Sequence, residues 1–267
     1  MKIDSSAKPL SLLQQIQQEQ TDSLRHLASG KRVESAHDDA AAMQIIERLT
    51  AESQAYQRSL GNAYDGISML GVAEGGLANI QDDVNRIREL TVQAGNGALT
   101  DADREALQQE AAQLTENIYQ TVDRTEFAGV PLLSQNDSRT FQLGNTGDTS
   151  LSIELRDMRQ QGLDSLSTLD LTDPNATSSL MDSLDSMNDM LNTQRAEYGA
   201  QQNAFEASAR NLTQTDIATQ ASRSRMQDLD YAMGTARNIQ NQILQNSAVA
   251  MSAQANAQTE LALSILS

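Results

Sequence analysis

Residues 40–93 read AAAMQIIERLTAESQAYQRSLGNAYDGISMLGVAEGGLANIQDDVNRIRELTVQ. An apolar residue returns at every seventh position, through Leu49, Tyr56, Ala63, Leu70, Leu77 and Val84. A second stripe runs beside it through Ile46, Leu60 and Ile67, then slips one position to Ala73, Ile80 and Ile87. A seven-residue apolar repeat held over this length specifies one long helix with a seam for other helices. At 1.5 Å per residue the helix would run roughly 80 Å, so its seam requires long partners. Five glycines, Gly61, Gly66, Gly71, Gly75 and Gly76, lie inside it, each unfavourable by about 1 kcal/mol relative to alanine. They point to close approach of neighbouring backbones or to a break at Gly75-Gly76. The stripe resumes in phase at Leu77 and Val84, which favours a continuous helix.

The partner seam lies near the other end of the chain. Leu184, Leu191, Tyr198, Phe205 and Leu212 recur at sevens, with Leu180 and Met187 beside them. Between the two seams, residues 95–97 (GNG) end the first helix and Thr100 with Asp103 starts another through Leu107, Ala111, Leu114, Ile118 and Val122. Residues 126–134 (EFAGVPLLS) interrupt the helical pattern. Residues 140–143 and 151–155, short and partly alternating around Gly144 and Gly147, read as a small hairpin. Residues 172–175 (TDPN) form a turn and a boundary. Before the long helix, Ser35 with Asp38 reads as a capping-box start, and Gly30 as the end of a preceding helix.

Both ends carry weaker amphipathic segments. Leu10, Leu13, Ile16, Leu24 and Leu27 mark the first. Leu229, Met233, Ile239, Ile243, Leu261 and Leu266 mark the last, which has no Lys or Arg after Arg237. These seams are too apolar for water and too short to be stable alone, so they call for association, first with each other and then with other copies. The fold class is mainly α: a long antiparallel helical, coiled-coil rod formed by both chain ends, with a small β-hairpin insert. Its rod core is Leu49, Tyr56, Leu70, Leu77, Val84, Leu184, Leu191, Tyr198, Phe205 and Leu212.

Composition narrows the function. Only 3% of residues are aromatic, which suits a thin helical seam better than a thick core. A net charge of −17 opposes nucleic-acid binding, which relies on Lys and Arg to neutralise phosphates. No apolar run approaches the ~20 residues of a membrane span, and the N-terminus has no apolar signal-peptide core. The chain has no cysteine, so disulfides and thiolate chemistry are excluded. His26 and His37 show no metal spacing. Asp38-Asp39 and Asp228/Asp230 read as helix caps and solvated faces, and the glycine pairs lack the Lys-Ser/Thr continuation of a phosphate-binding loop. No cofactor, metal or catalytic residue is expected.

Several motifs, in order, resemble bacterial flagellins. They are residues 27–41 (LASGKRVESAHDDAA), 62–68 (NAYDGIS), 85–93 (NRIRELTVQ), 125–133 (TEFAGVPLL), 222–231 (SRSRMQDLDY), 242–245 (QILQ) and 253–256 (AQAN). The resemblance implies that residues 1–32 with 226–267 form a terminal coiled coil in the inner layer of a filament. Residues 33–134 with 177–225 would be the helical rod domain, and 135–176 a short variable insert without separate outer domains. It implies a structural subunit that polymerises into the flagellar filament for motility, outside the cell, exported without a cleaved signal peptide. The terminal seams named above are the assembly contacts on this reading.

The implied partners are further copies of the chain, an export chaperone, the type III export apparatus, and filament cap and junction proteins. A Toll-like receptor contact is implied at Arg86, Arg88, Glu89, Leu90 and Glu110. Two other readings share the long helices: a hook–filament junction protein, and a cytoplasmic coiled-coil scaffold. The 242–245 and 253–256 motifs favour flagellin over the junction protein.

Overall fold

The computed structural model describes residues 7–144, 149–173 and 175–266, with side chains from 13 to 254 in those stretches and at 257 and 258. Two compact units are present: Met1–Ser53 with Ile217–Ser267, and Gln54–Asp216. The elements in chain order are α1 (Ala7–Ser29), α2 (Ala40–Ala94), α3 (Asp101–Arg124), β1 (Glu126–Phe127), β2 (Val130–Pro131), β3 (Asp137–Gln142), β4 (Ser150–Leu155), α4 (Met158–Gln161), a 3₁₀ turn (Leu163–Thr168), α5 (Thr177–Gln227) and α6 (Tyr231–Leu266). The boundary between the units falls within α2 and within α5.

The unit 54–216 is built on its portions of α2 and α5, which run antiparallel. Glu74 accepts from Arg195 at 2.7 Å, Gln81 donates to Asn192 at 2.8 Å, and Arg88 donates to Asp185 at 2.8 Å, partner numbers falling as α2 numbers rise. Leu70, Leu77, Val84, Leu184, Leu191, Tyr198, Phe205 and Leu212 are buried, and Tyr56 packs half-buried against them. The slipped stripe Ala73, Ile80 and Ile87 is buried too, because α3 covers it with Ala111, Ile118 and Val122. Two stripes are buried because α2 has two neighbours within this unit. The helix continues unbroken through Gly75-Gly76. A Cβ at Gly76 would lie 2.6 Å from Thr125 Oγ1 and 3.0 Å from Leu133, so the segment after α3 passes against bare backbone there.

Thr100 caps α3 as its sequence implies. Its side chain accepts from the Asp103 N–H while the Asp103 carboxylate accepts from the Thr100 N–H, a complete capping box. β3 and β4 pair antiparallel, Asp137 opposite Leu155 and Gln142 opposite Ser150. Residues 126–134 are not merely a break. Phe127 pairs with Val130 across Ala128 (φ 51°) and Gly129 (φ 78°), a two-residue turn that suits the twist of a hairpin. Met158, Leu163 and Leu166 are buried by α4 and the 3₁₀ turn, elements too short to announce themselves by periodicity.

In the unit 1–53 with 217–267, backbone contacts hold the chain between α1 and α2 against the end of α5. Arg32 N–H donates to Gln227 O at 2.7 Å, Leu229 N–H donates to Gly30 O at 2.9 Å, and the Arg32 guanidinium donates to Met226 O at 2.6 Å. Val33, Ala42 and Ile46 form a small core with Met43 and Met226. α1 ends where Gly30 takes φ +68°, as its sequence implies. Leu49 is half-buried here.

The expected Ser35–Asp38 cap of the long helix is corrected by the structure. Asp39 is the residue that caps α2, accepting from the Ala42 N–H at 2.9 Å. Asp38 instead accepts from the N–H of Ser35 at 2.8 Å, the N–H of Glu34 at 3.0 Å and the Ser35 hydroxyl at 3.1 Å, so it closes the preceding turn. The Ser35 N–H contributes most to lowering its pKa to about 2, helped by the Glu34 N–H and by His26 nearby. A depressed carboxylate stabilises the fold above its unfolded pKa, and that stabilisation is lost as pH falls from about 4 toward 2. The Glu34 and Ser35 amide NMR signals are therefore expected to titrate together with a midpoint of about 2 and to lose that titration in Asp38→Asn. A midpoint at the ordinary carboxylate value would show that Asp38 does not hold the turn.

Candidate assembly surface

α1 and α6 pair in the unit that holds both, and the join is tight where Gly234 meets Leu27. A Cβ on Gly234 would lie 2.9 Å from Leu229 Cδ2 and 3.1 Å from Leu27 Cδ2. The Tyr231 hydroxyl donates to Leu27 O at 3.3 Å. On α1 Ile16 is buried and Leu13, Gln20, Asp22, Ser23, His26 and Leu27 are half-buried; Leu13, Ile16, Gln20, Ser23 and Leu27 among them form a row spaced by three and four. On α6 they are Gly234, Asn238, Asn241, Gln245, Ala248 and Ser252, with the same spacing.

The inward row of α6 is thus small or polar. Burying amides between two helices gains little unless each is hydrogen-bonded, and Asn238 Oδ1 is buried with no partner among the described residues. The apolar residues of α6 point elsewhere. Met233, Ile239, Ile243, Leu244 and Val249 are all exposed, between 46% and 60%, and Met251 reaches 73%. A helix with its polar row inward and its apolar rows in water is inverted for a free molecule and correct for one covered by others.

Gly234→Leu is expected to prise α1 from α6, because the added side chain has to displace both leucines. Overpacking of this kind costs about 1–3 kcal/mol. Hydrogen exchange at the α1 amides is expected to accelerate, and unchanged protection would place the contact elsewhere.

The expected terminal seam residues fall into three groups. Ile16 is buried, and Leu13, Leu27 and Leu229 are half-buried. Leu24, Met233, Ile239 and Ile243 are exposed. Leu10, Leu261 and Leu266 have side chains outside the described residues. Tyr231 and Met251 join the exposed face without having been singled out from the sequence; Met251 repeats the Leu244 position one heptad later.

The Arg86 group lies in the other unit. Arg86 donates to Glu110 at 3.0 and 2.8 Å and to Glu89 at 2.9 Å. Those carboxylates, Glu110 foremost, raise the guanidinium pKa above its ordinary value. Arg88 is held by Asp185. Leu90 is 1% exposed and belongs to the core, since it shares the α2 row that packs inward. Arg86, Arg88, Glu89 and Glu110 carry the surface part of this cluster.

Among the described residues, no group of three or more acidic, His or Cys side chains is placed to hold a metal ion, and no helix is long and apolar enough to cross a membrane.

The family model for the bacterial flagellin N-terminal helical region matches residues 4–138, and that for the C-terminal helical region matches residues 181–266. A flagellin of Halalkalibacterium halodurans is 32% identical over 245 residues, covering 91% of this chain and 90% of the relative. The flagellar filament 30.7 kDa core protein of Treponema maltophilum is 30% identical over 259 residues, covering 91% of each. The crystal structure of Bacillus cereus flagellin shares the fold, with a TM-score of 0.53 and 24% identity over 57% of this chain and 88% of that one. With both terminal helical regions matched and relatives aligned over nine-tenths of its length, the chain belongs to the bacterial flagellin family.

Proposed function

We infer that this flagellin is a structural subunit of the bacterial flagellar filament and that it polymerises through the outward face of α6. The observation that carries the reading is the inversion of that helix: Asn238, Asn241 and Gln245 turn inward while Ile239, Ile243 and Leu244 lie in water. Covering the exposed rows with other copies removes apolar area from water at about 25 cal/mol per Å². A contact between unlike surfaces of identical chains builds an open helix when its rotation does not close into a ring.

On this reading residues 1–32 and 226–267 are the inner layer, 33–134 and 177–225 the helical domain, and 135–176 the insert. The assembly contacts are Leu10, Leu13, Leu24, Leu27, Leu229, Met233, Ile239, Ile243, Leu261 and Leu266, with Ile16 buried beneath them on α1. The terminal segments gain their full order on docking, when neighbours cover them. The chain acts outside the cell, after passage through a type III export apparatus with a chaperone on its C-terminal segment, and it meets cap and junction proteins in the filament. The Arg86, Arg88, Glu89 and Glu110 cluster is the contact for a Toll-like receptor. A receptor reporter is expected to respond less to Arg86→Ala, and an undiminished response removes that contact.

The test of assembly is electron microscopy of purified chain added to sheared filament seeds. The full chain is expected to elongate them, and a chain lacking residues 226–267 is not. Ile239→Asp with Ile243→Asp is expected to stop elongation as completely as the deletion. Elongation by the truncated chain would remove α6 from the mechanism.

A further inference from the structure

The side-chain sulfur of this chain is all methionine: ten Met and no Cys. Met69, Met158 and Met187 are buried, and Met43, Met181, Met190 and Met226 are half-buried. Among the described side chains, Met233 at 58% and Met251 at 73% are the exposed methionines, and both lie on α6. They are separated by 251 − 233 = 18 positions, which at 3.6 residues per turn is about five turns. The two thioethers therefore share one face of the helix, with Leu244, 46% exposed, in the same row.

We propose that Met233 and Met251 are an oxidant-sensitive modification site on the assembly face, where peroxide or hypohalous acid converts them to sulfoxides and holds the free chain out of the polymer. This rests on α6 being the contact between copies. With peroxide, the thioether lone pair attacks one oxygen. The O–O bond breaks as the S–O bond forms, and the second oxygen leaves as water with both protons. Sulfur loses two electrons and the peroxide gains two. The product is a polar, chiral side chain in place of a flexible apolar one. Its oxygen carries a hydrogen-bond acceptor into a contact that the thioether enters as an apolar group. The change is reversible: methionine sulfoxide reductase with a dithiol returns the thioether, releasing water and leaving a disulfide in the reductant. Oxidation would thus be read before assembly, while the row is open.

The experiment treats free chain with hydrogen peroxide, maps sulfoxides by peptide mass spectrometry, and measures elongation of filament seeds. Met233 and Met251 are expected to oxidise ahead of the other described methionines, with elongation slowed about tenfold or more. Reductase with dithiothreitol restores the rate. Met233→Leu with Met251→Leu, which keeps the row apolar, is read against its own untreated rate, whatever that rate is, and peroxide is expected to leave that rate unchanged.

Unchanged elongation by chain carrying both sulfoxides overturns the proposal. So does peroxide inhibition of the double leucine variant equal to that of the natural chain. Preassembled filaments give an independent reading, since both methionines are expected to be protected there. Equal oxidation of filament and free chain overturns the proposal even if the leucine variant fails to assemble. Failure of the untreated natural chain to elongate seeds is a different result: it removes the assembly reading of α6, and this site with it.

Discussion

Phe205→Ala is expected to destabilise the chain by about 3–5 kcal/mol, the range for deleting a buried aromatic ring. The ring is 1% exposed and fills the seam between α5 and α2. It meets Phe141 of the β3–β4 hairpin edge to face, at a centroid distance of 5.5 Å and an interplanar angle of 89°, a favoured arrangement for two aromatic rings. It therefore joins the hairpin to both long helices. On α2 it lies against Gly66, where a Cβ would come within 2.7 Å of the ring. The deletion leaves a cavity that α2 cannot fill, because the facing residue has no side chain to move inward. The reverse change, Gly66→Ala, is expected to cost about 1–3 kcal/mol by overpacking, since the buried ring has no room to retreat. Gly66→Ala combined with Phe205→Leu is then expected to be more stable than the two single effects sum to, as neighbours in contact couple. Urea unfolding followed by far-ultraviolet circular dichroism measures all of these. A loss below about 1 kcal/mol in Phe205→Ala would show that the seam closes over the missing ring.

Arg104→Met is expected to cost roughly 3 kcal/mol, because it removes charged donors from one buried and two partly buried carbonyl bonds while keeping an apolar stem. The Arg104 side chain is only 8% exposed. Its guanidinium donates to Ala94 O at 3.2 Å, Leu99 O at 3.0 Å and Asn96 O at 3.1 Å. Ala94 is the last residue of α2, whose final carbonyls have no partner within the helix. One side chain thus ends one helix, folds the turn at 95–100 and belongs to the next helix. Arg104→Lys keeps the charge but not the planar fork, and a single ammonium does not replace donors pointing three ways. Its loss is expected to fall between those of the natural chain and Arg104→Met. Hydrogen exchange at residues 95–100 and the urea midpoint together measure the effect. Full protection of the turn in Arg104→Met would assign its order to the α3 capping box instead.

The elements legible in the sequence share one property: their signal is local. The α2 and α5 heptads, the Thr100–Asp103 box, the Gly30 helix end and the β3–β4 hairpin each follow from residues a few positions apart. Elements missed were short or were chosen by competition. Ala128 and Gly129 turn β1 into β2 in two residues, too few to show a period. Asp38 and Asp39 are both good caps, and only the folded path decided that Asp39 serves α2 while Asp38 holds the Glu34 and Ser35 amides.

The assembly surface divides the same way. The apolar residues of α6 were readable as a seam, since hydrophobicity and spacing are properties of the chain. Whose seam it is was decided by the tertiary structure. Gly234 lets α1 approach one side, that side carries Asn238, Asn241 and Gln245, and the apolar rows are left outward. By itself the sequence determined that long helices form and that apolar rows must be covered, because burial of apolar area is favourable whatever covers it. Only packing decided which rows are covered within one chain, because close approach depends on the shape of both surfaces at once.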